Sequence, residues 1–569
     1  VTRVAASTRV AWVVSGVVAV LLLGPALLSP GSVLRGDMVF VPHQPWKEAW
    51  LGLDGSLPRA VPMDALVSAL TYVVPGAWLQ KALLLASFMV GGVGIGRLAE
   101  RVVGATTWGV AASVALYLWN PWVVERLSIG QWATVAGYAL LPWVVLSAWR
   151  LRDDGRRWHS VLVLLFLSAV CSPSNGLTAV LVAAVVVLGA PTRRSVGALV
   201  GCAAVANLPW AVPALTLGER VSLGGAAAFD AFHAVAETPL GLLASVLSLG
   251  GIWKLSVVPG ERTTVLVVGV SLVLSAVAVT ALLRGPDETR MRRTLAAVGA
   301  LSVVVCVVPA WAPGVMAAAA DAVPGLAMVR DSHRFLAPLG LVVALGLAAV
   351  ASAIHRRAVT GREGLLVAVA TLVVAPVLLL PSAVWGLSGD LRPVTFPQEW
   401  QDVADALEVA QAPGALVVLP WEGSYRRLGW NDGRASLDPA PRLLPGDVLI
   451  DDRIVLGRQI LPGEDPRTAE VEAALQDEDP RLALSALGVR WVLVEKPLPS
   501  SSAVPDGRVV HDGTWLTLVD LGPAAAVAPS DTRAWRWWLV LGADALVALS
   551  LIGVLVVQLR TGRYAPART

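Results

Sequence analysis

Charged side chains are scarce in this 569-residue sequence. Asp, Glu, Lys and Arg make up 15% of it, whereas soluble proteins carry about 25%. Hydrophobic residues make up 56%, and mean hydropathy is +0.68. That balance excludes an ordinary soluble protein and gives a polytopic membrane protein. Cysteine is scarce too. Cys171, Cys202 and Cys306 all lie in apolar runs, so neither a disulfide framework nor a Cys-built metal site is implied. No P-loop is present, which argues against an ATP-driven pump. No internal repeat is visible and few helices carry charge at mid-length, which argues against a carrier. Lysine is rare beside arginine. The formal net charge of +3 says less than where the charges sit.

Long apolar runs are what the sequence does have. A bilayer takes about 20 helical residues to cross. On that measure twelve segments are expected to be membrane helices, at 9–29, 77–97, 105–119, 132–149, 159–171, 176–190, 195–216, 263–283, 294–310, 335–354, 364–382 and 535–558. The first follows Arg3 and Arg9 and has no small-residue cleavage site after it, so it reads as a retained helix, not a signal peptide. The fifth and sixth are short and separated only by "CSPSNG" (171–176). Irregular backbone at membrane depth is tolerated where it faces a water-filled cavity or protein, so this pair reads as a hairpin that does not fully cross.

The basic loops set the expected orientation. "WRLRDDGRRW" (149–158), "TRRS" (192–195), "RGPDETRMRR" (284–293), "HRRAVTGR" (355–362) and the tail "RTGRYAPART" (560–569) fall on one side. The positive-inside rule makes that side cytoplasmic, with both termini inside a plasma membrane. Segments 30–76, 120–131, 217–262, 311–334 and 383–534 then lie outside. Residues 386–530 read as a small extracytoplasmic α/β domain between a membrane domain (1–385) and a final helix with its tail (531–569). Helices are expected at 396–412 and, with one Pro interruption, at 468–488, and strands at 415–421, 489–495, 507–512 and 514–521. Trp535, Trp537 and Trp538 read as an interfacial belt. The loop "LPWEGSYRRLGWNDGR" (419–434) mixes aromatic and charged residues in the manner of a glycan-binding loop, or of any solvated loop. The fold class expected is mainly α, with about twelve transmembrane helices and this α/β domain.

Polar residues gather at the outer ends of the spans. "GSVLRGDMVFVPHQPWK" (31–47) places Arg35, Asp37, His43 and Lys47 just past the first helix. "NPWVVERLSIGQW" (120–132) puts Glu125, Arg126 and Gln131 between two apolar segments, where they are costly unless they face a cavity or pair. "MVRDSHRF" (328–335) gathers Arg330, Asp331, His333 and Arg334. Two guanidinium groups beside an imidazole can clamp a phosphate, or can snorkel from a helix end. His233 has Asp230 and Glu237 nearby in sequence.

"GDMVFVP", "NPWVVERLSIGQW" and "MVRDSHRFLAPL" together resemble the GT-C superfamily of multi-span glycosyltransferases that use polyprenyl-phosphate sugars. The last is similar to a stretch of actinobacterial arabinofuranosyltransferases of the cell wall. "LSALGVRWVLVE" (484–495) resembles the exterior part of YfhO-type membrane proteins. The resemblance implies an extracytoplasmic transfer from a polyprenyl-phosphate sugar to a cell-envelope glycan or glycolipid, with no nucleic-acid partner. Asp37 would be the catalytic base. Arg330, His333 and Arg334 would hold the donor phosphate, with His43, Glu125, Arg126, Gln131 and Asp331 in support. The first loop lacks the paired Asp-x-Asp or Glu-x-Asp acids, which leaves a divalent cation, Mg or Mn, open. A non-catalytic scaffold of envelope assembly and a lipid or small-molecule transporter remain as alternatives.

Overall fold

The computed structural model describes residues 2–562, apart from 55–56, 218–224, 286–287, 324, 360–364, 457–458, 462, 464, 466, 500–502 and 526–531. Parts of the expected basic stretches at 284–293, 355–362 and 560–569 lie outside the described residues. So do positions in the 217–262 loop and at the 530/531 boundary.

The chain is mainly helical. In order come α1 (Thr2–Leu28), α2 (Met63–Thr71), α3 (Gly76–Val103), α4 (Thr107–Leu118), α5 (Pro121–Ser128), α6 (Trp132–Asp153), α7 (His159–Cys171), α8 (Pro173–Leu188), α9 (Arg193–Leu215), α10 (Gly225–Phe232), α11 (Gly241–Leu247), α12 (Val265–Arg284), α13 (Thr289–Trp311), α14 (Pro313–Ala322), α15 (Ala337–Val359) and α16 (Leu365–Leu379). Among the described residues, eight helices are long and apolar enough to cross a membrane. Eight of the twelve expected segments correspond to them, and the chain is a multi-pass membrane protein. The other four are α4, α7, α8 and α16, of 12, 13, 16 and 15 residues. At 1.5 Å per residue none of these reaches the roughly 30 Å of a hydrocarbon core. Serine 172 separates α7 from α8; its hydroxyl caps α8 through Asn175 N–H, and Pro173 takes the first helical position, where a missing N–H costs nothing. That is the break expected at 171–176.

Burial differs from span to span. The span that includes α15 is the most enclosed, with 89% of its apolar window inside the protein, against 17% for α12. Small residues allow the close approach. A Cβ on Gly346 of α15 would lie 2.1 Å from the Ala278 carbonyl oxygen of α12. After α16 the chain turns by 72° through α17 (Val384–Ser388), whose interior is left-handed, with φ of 58° at Trp385 and 55° at Leu387.

An α/β unit follows. Its helices are α18 (Glu399–Ala410), α19 (Ala440–Leu443), α20 (Arg467–Leu475) and α21 (Pro480–Ala486), before the final α22 (Thr532–Gly562). Its strands are β1 (Ala415–Leu419), β2 (Tyr425–Arg426), β3 (Ser436–Leu437), β4 (Val448–Leu449), β5 (Ile454–Leu456), β6 (Gln459–Leu461), β7 (Val489–Glu495), β8 (Arg508–Asp512) and β9 (Leu516–Asp520). The main sheet runs β4-β1-β7-β9-β8, parallel across β4, β1 and β7 and antiparallel beyond. All four expected strands are present. The Pro interruption expected within 468–488 divides it into two helices: Pro480 opens the second, and Asp479 caps it at Leu482 N–H, 3.0 Å away.

The first exterior loop is built into this unit. Leu34, Val39 and Val41 share a hydrophobic core with Trp400, Val403, Leu416 and Trp491. Arg442 pairs with Asp64 at 3.1 Å, and Lys47 Nζ donates to Pro441 O at 2.7 Å. Trp535 and Trp538 are exposed on α22, while the intervening Arg536 is buried and donates to Gly52 O at 2.7 Å.

Candidate functional site

Two glycines bring the site together. Gly36 (φ 53°) and Gly130 (φ 83°) lie in the left-handed region, which other L residues rarely adopt. They also sit too close to backbone for a side chain. A Cβ on Gly36 would be 1.9 Å from Ile129 O, and one on Gly130 would be 1.9 Å from Arg35 O. Asp37 N–H donates to Ile129 O at 3.0 Å. On its other side Gly36 N–H donates to Ala435 O, and Leu437 N–H donates to Gly36 O, both at 2.8 Å. Asp37 therefore stands where the first exterior loop, the α5–α6 turn and the α/β unit meet. Gln131 Nε2 donates to Asp37 Oδ2 at 3.1 Å, and the Tyr425 hydroxyl donates to Asp37 Oδ1. Both carboxylate oxygens are thus held, and the half-buried side chain has a fixed plane.

Behind Asp37 lies a buried ionic network. Helix α5 begins cleanly, because Asn120 accepts from Val123 N–H and Pro121 takes the first position. This short helix turns Arg126 fully inward. Its guanidinium grips Asp331 with two bonds of 3.0 and 3.1 Å, the fork geometry arginine favours. It also donates to Gln131 Oε1 at 2.5 Å and to His333 Nδ1 at 2.7 Å. The second bond makes Nδ1 the acceptor and places the ring proton on Nε2. Asp331 gains a third bond from Arg334 Nε at 2.7 Å. Burial would raise the Asp331 carboxyl, but Arg126 and Arg334 outweigh it and hold the group well below the usual carboxylate range.

Glutamate 125 is in a different state. It is fully buried, and its oxygens make no close hydrogen bond. His333 Nε2 is 3.5 Å away, too long to count for much. Glu237 faces it, but Glu237 is satisfied by Arg262 Nε (2.8 Å), Gly251 N–H (2.5 Å) and Ile252 N–H (3.2 Å). Burial first, and then the charge of Glu237, push the Glu125 carboxyl well up, which favours its protonated form.

Cations crowd the outer side. Lys254 Nζ lies 5.6 Å from the centre of the Tyr425 ring. Burial lowers its ammonium below the usual value although Asp37 draws it up, and Arg35 and Arg427 lower it further. Part of the Tyr425 ring is exposed, but its hydroxyl is turned inward. Its proton is held well above the ordinary phenol value, by burial first and then by Asp37, with Arg59 and Arg334 opposing. Arg59 and Arg334 act on Tyr425 and Lys254 on Asp37, while Arg35 and Arg427 face Lys254, Arg35 also pairing with Asp390 at 2.8 Å. A rim rich in cations suits an anionic ligand.

The structure joins six of the expected site residues, Asp37, Gln131, Arg126, Asp331, His333 and Arg334, in one hydrogen-bonded chain, with Glu125 against its inner end. His333 is fully buried and turned to Arg126 and Glu125, so it braces the network from within and does not line the open side. Arg334 is 29% exposed at its side chain. Arg330 lies 5.5 Å from the Phe232 ring. His43 is elsewhere: it is exposed and packs edge-on against Tyr72 at 4.4 Å. Glu237 belongs with Arg262, whereas neighbouring His233 turns to Ala234 O at 2.7 Å. Tyr425, Lys254 and Arg262 were not among the expected site residues. Tyr425 lies in the aromatic, charged 419–434 loop, and that composition was its only signal. Around Asp37 the groups are a carboxamide, a phenol and cations, which is not a donor set for a divalent ion. Among the described residues no group of three His, Cys, Asp or Glu side chains is placed to hold a metal.

Comparison with protein-family sequence profiles gives no match, and comparison with curated proteins gives none either. Solved structures do match. The single-particle cryo-EM structure of the arabinofuranosyltransferase AftD from Mycobacteria superposes with a TM-score of 0.61 at 17% identity, over 90% of this chain and 40% of that one. A mutant form of the same protein gives a TM-score of 0.59 at 18% identity, over 92% and 42%. The chain spans about two-fifths of the length of the protein it matches. Over nine-tenths of its own length, this chain has the fold of that membrane arabinofuranosyltransferase, in keeping with the GT-C resemblance of its motifs.

Proposed function

We propose that the protein is a GT-C-type glycosyltransferase. It transfers a sugar from a polyprenyl-phosphate donor to a cell-envelope glycan or glycolipid on the extracytoplasmic side. The observation that carries this reading is the placement of Asp37. A carboxylate oriented by Gln131 and Tyr425 stands among cations, at the junction of the membrane helices and the α/β unit, in a fold shared with an arabinofuranosyltransferase.

In the proposed reaction Asp37 takes the proton of an acceptor hydroxyl. The hydroxyl oxygen attacks the anomeric carbon as the bond from that carbon to the phosphate oxygen breaks. The phosphate leaves with the bonding electrons, and a single displacement inverts the anomeric configuration. Charge builds on the leaving phosphate, and Arg334, Arg330 and Lys254 stabilise it there. Arg126, Asp331 and His333 do not touch substrate; they hold Gln131, and through it Asp37, in place. No step needs a metal ion.

The test is transfer of radiolabelled sugar by reconstituted protein from synthetic polyprenyl-phosphate donors to an envelope oligosaccharide, with polyprenyl-phosphate arabinose tried first. Incorporation with inverted configuration supports the reading. No incorporation from any donor, by protein that is folded and inserted, would move the scaffold reading to the front.

A further inference from the structure

A cavity of about 360 Å³ opens at the far end of α6 from the site. Helix α6 starts at Trp132, next to Gln131, and runs 22 residues to Asp153, about 33 Å at 1.5 Å per residue. The cavity therefore lies at the opposite end of the membrane region from Asp37. Arg101 lines it from the last turn of α3, Trp149, Arg150 and Asp153 from the last turns of α6, and Asp154 and Arg157 from the loop beyond.

The charges there do not balance. Asp153 pairs with Arg152 at 3.2 Å, and Asp154 pairs with Arg157 at 3.4 Å. Arg101 and Arg150 make no ion pair among the described residues. The Arg101 guanidinium is held 5.0 Å from the centre of the buried Trp149 ring, a stacking contact that leaves its N–H edge open. Arg152 lies over the same ring at 5.6 Å but is paired with Asp153, so Arg101 and Arg150 are the two lining guanidinium groups left to bind phosphate oxygens. Leu146 adds an apolar wall. The volume falls within the range of small-ligand sites, about 300–1,000 Å³, and fits a headgroup, not a whole lipid. We propose that this cavity binds the phosphate headgroup of an anionic phospholipid, with Arg101 and Arg150 as the phosphate ligands, Trp149 holding Arg101 in place, and Leu146 against the glycerol and upper acyl chain. A lipid source follows from the position: the cavity opens where two membrane helices end.

Native mass spectrometry of the detergent-solubilised full chain tests this, with phosphatidylglycerol and phosphatidylcholine titrated separately. Wild type should retain one phosphatidylglycerol at least tenfold more tightly than phosphatidylcholine. Arg101→Gln/Arg150→Gln should lose that preference, and Arg193→Gln/Arg290→Gln, which removes exposed basic residues outside the cavity, should keep it. Equal retention of the two lipids by wild type, or an unchanged preference in the cavity variant, would overturn the proposal. Displacement of the lipid by equimolar glycerol phosphate would also overturn it, in favour of a soluble phosphate ligand. Should the double variant not fold, wild type alone decides: phosphatidylglycerol must raise its melting temperature more than phosphatidylcholine does.

Discussion

Arg126 is the most consequential side chain in the buried network, and replacing it with methionine removes four hydrogen bonds at once. The lost acceptors are Gln131 Oε1, both oxygens of Asp331, and His333 Nδ1. Methionine fills much of the volume, so the cost is electrostatic. Removing one partner of a buried ion pair typically costs about 3–5 kcal/mol, because the other charge is stranded. Asp331 is not wholly stranded, since Arg334 still holds it at 2.7 Å from a partly exposed position. The lower end, about 3 kcal/mol, is therefore expected. Asp331→Asn strands the Arg126 charge and should cost a similar amount. The double variant strands neither, so its cost should fall short of the sum by about 1–3 kcal/mol. Denaturant unfolding in mixed micelles of wild type, the two single variants and the double variant closes the cycle. Additive costs, or an Arg126→Met variant within about 1 kcal/mol of wild type, would refute the reasoning.

Other perturbations probe the neighbouring parts. A glutamate whose carboxyl is pushed up by folding favours the folded state only while protonated, so wild type should lose stability as pH rises above the unfolded value of about 4.3, by at most about 1.4 kcal/mol per unit. Glu125→Gln should abolish that slope and melt higher than wild type at pH 8, with the two converging near pH 4; a Gln variant that melts lower at pH 8 would contradict a protonated Glu125. Gly36→Ala must place a Cβ 1.9 Å from Ile129 O at a φ of 53°, and should abolish transfer and lower the melting temperature, whereas Gly16→Ala, with nothing within 4 Å, should be neutral in both. Tyr425→Phe keeps the ring and loses the bond to Asp37, so kcat should fall about tenfold or more with KM little changed; a change confined to KM would make Tyr425 a substrate-binding residue instead.

Local signals in the sequence carried much of this structure. The eight long spans are apolar runs, and strand β7 coincides with its expected limits because "VRWVLVE" is a near-continuous apolar run buried on both faces of the sheet. Span count was harder to read, because α4, α7, α8 and α16 are apolar but short, and apolar composition marks burial in protein as readily as burial in lipid. The site was legible in pieces. The polar residues of 120–132 and 328–335 stood out because charge is costly beside apolar helices. That Arg126 and Asp331 satisfy each other was not legible, since 205 positions separate them. Tyr425 is 388 positions from Asp37, and they meet through the backbone bonds of Gly36 with Ala435 and Leu437 and the core that Leu34, Val39 and Val41 share with the α/β unit. His43 shows the opposite error: nearness in sequence to Asp37 suggested a shared role, but the chain turns His43 away toward Tyr72.

Whether Asp37 performs chemistry decides between enzyme and scaffold. The measurement is glycan linkage analysis of envelope polysaccharides and glycolipids in a deletion strain complemented with wild type or with Asp37→Asn. Asparagine keeps the acceptor for Tyr425 and nearly the same shape, so the variant should fold and insert, while losing the group that takes the proton. The expected result is that deletion removes one linkage, wild type restores it and Asp37→Asn does not, at equal amounts in the membrane. Full restoration by Asp37→Asn would show that the carboxylate is not the base, and would leave the fold to serve assembly or transport.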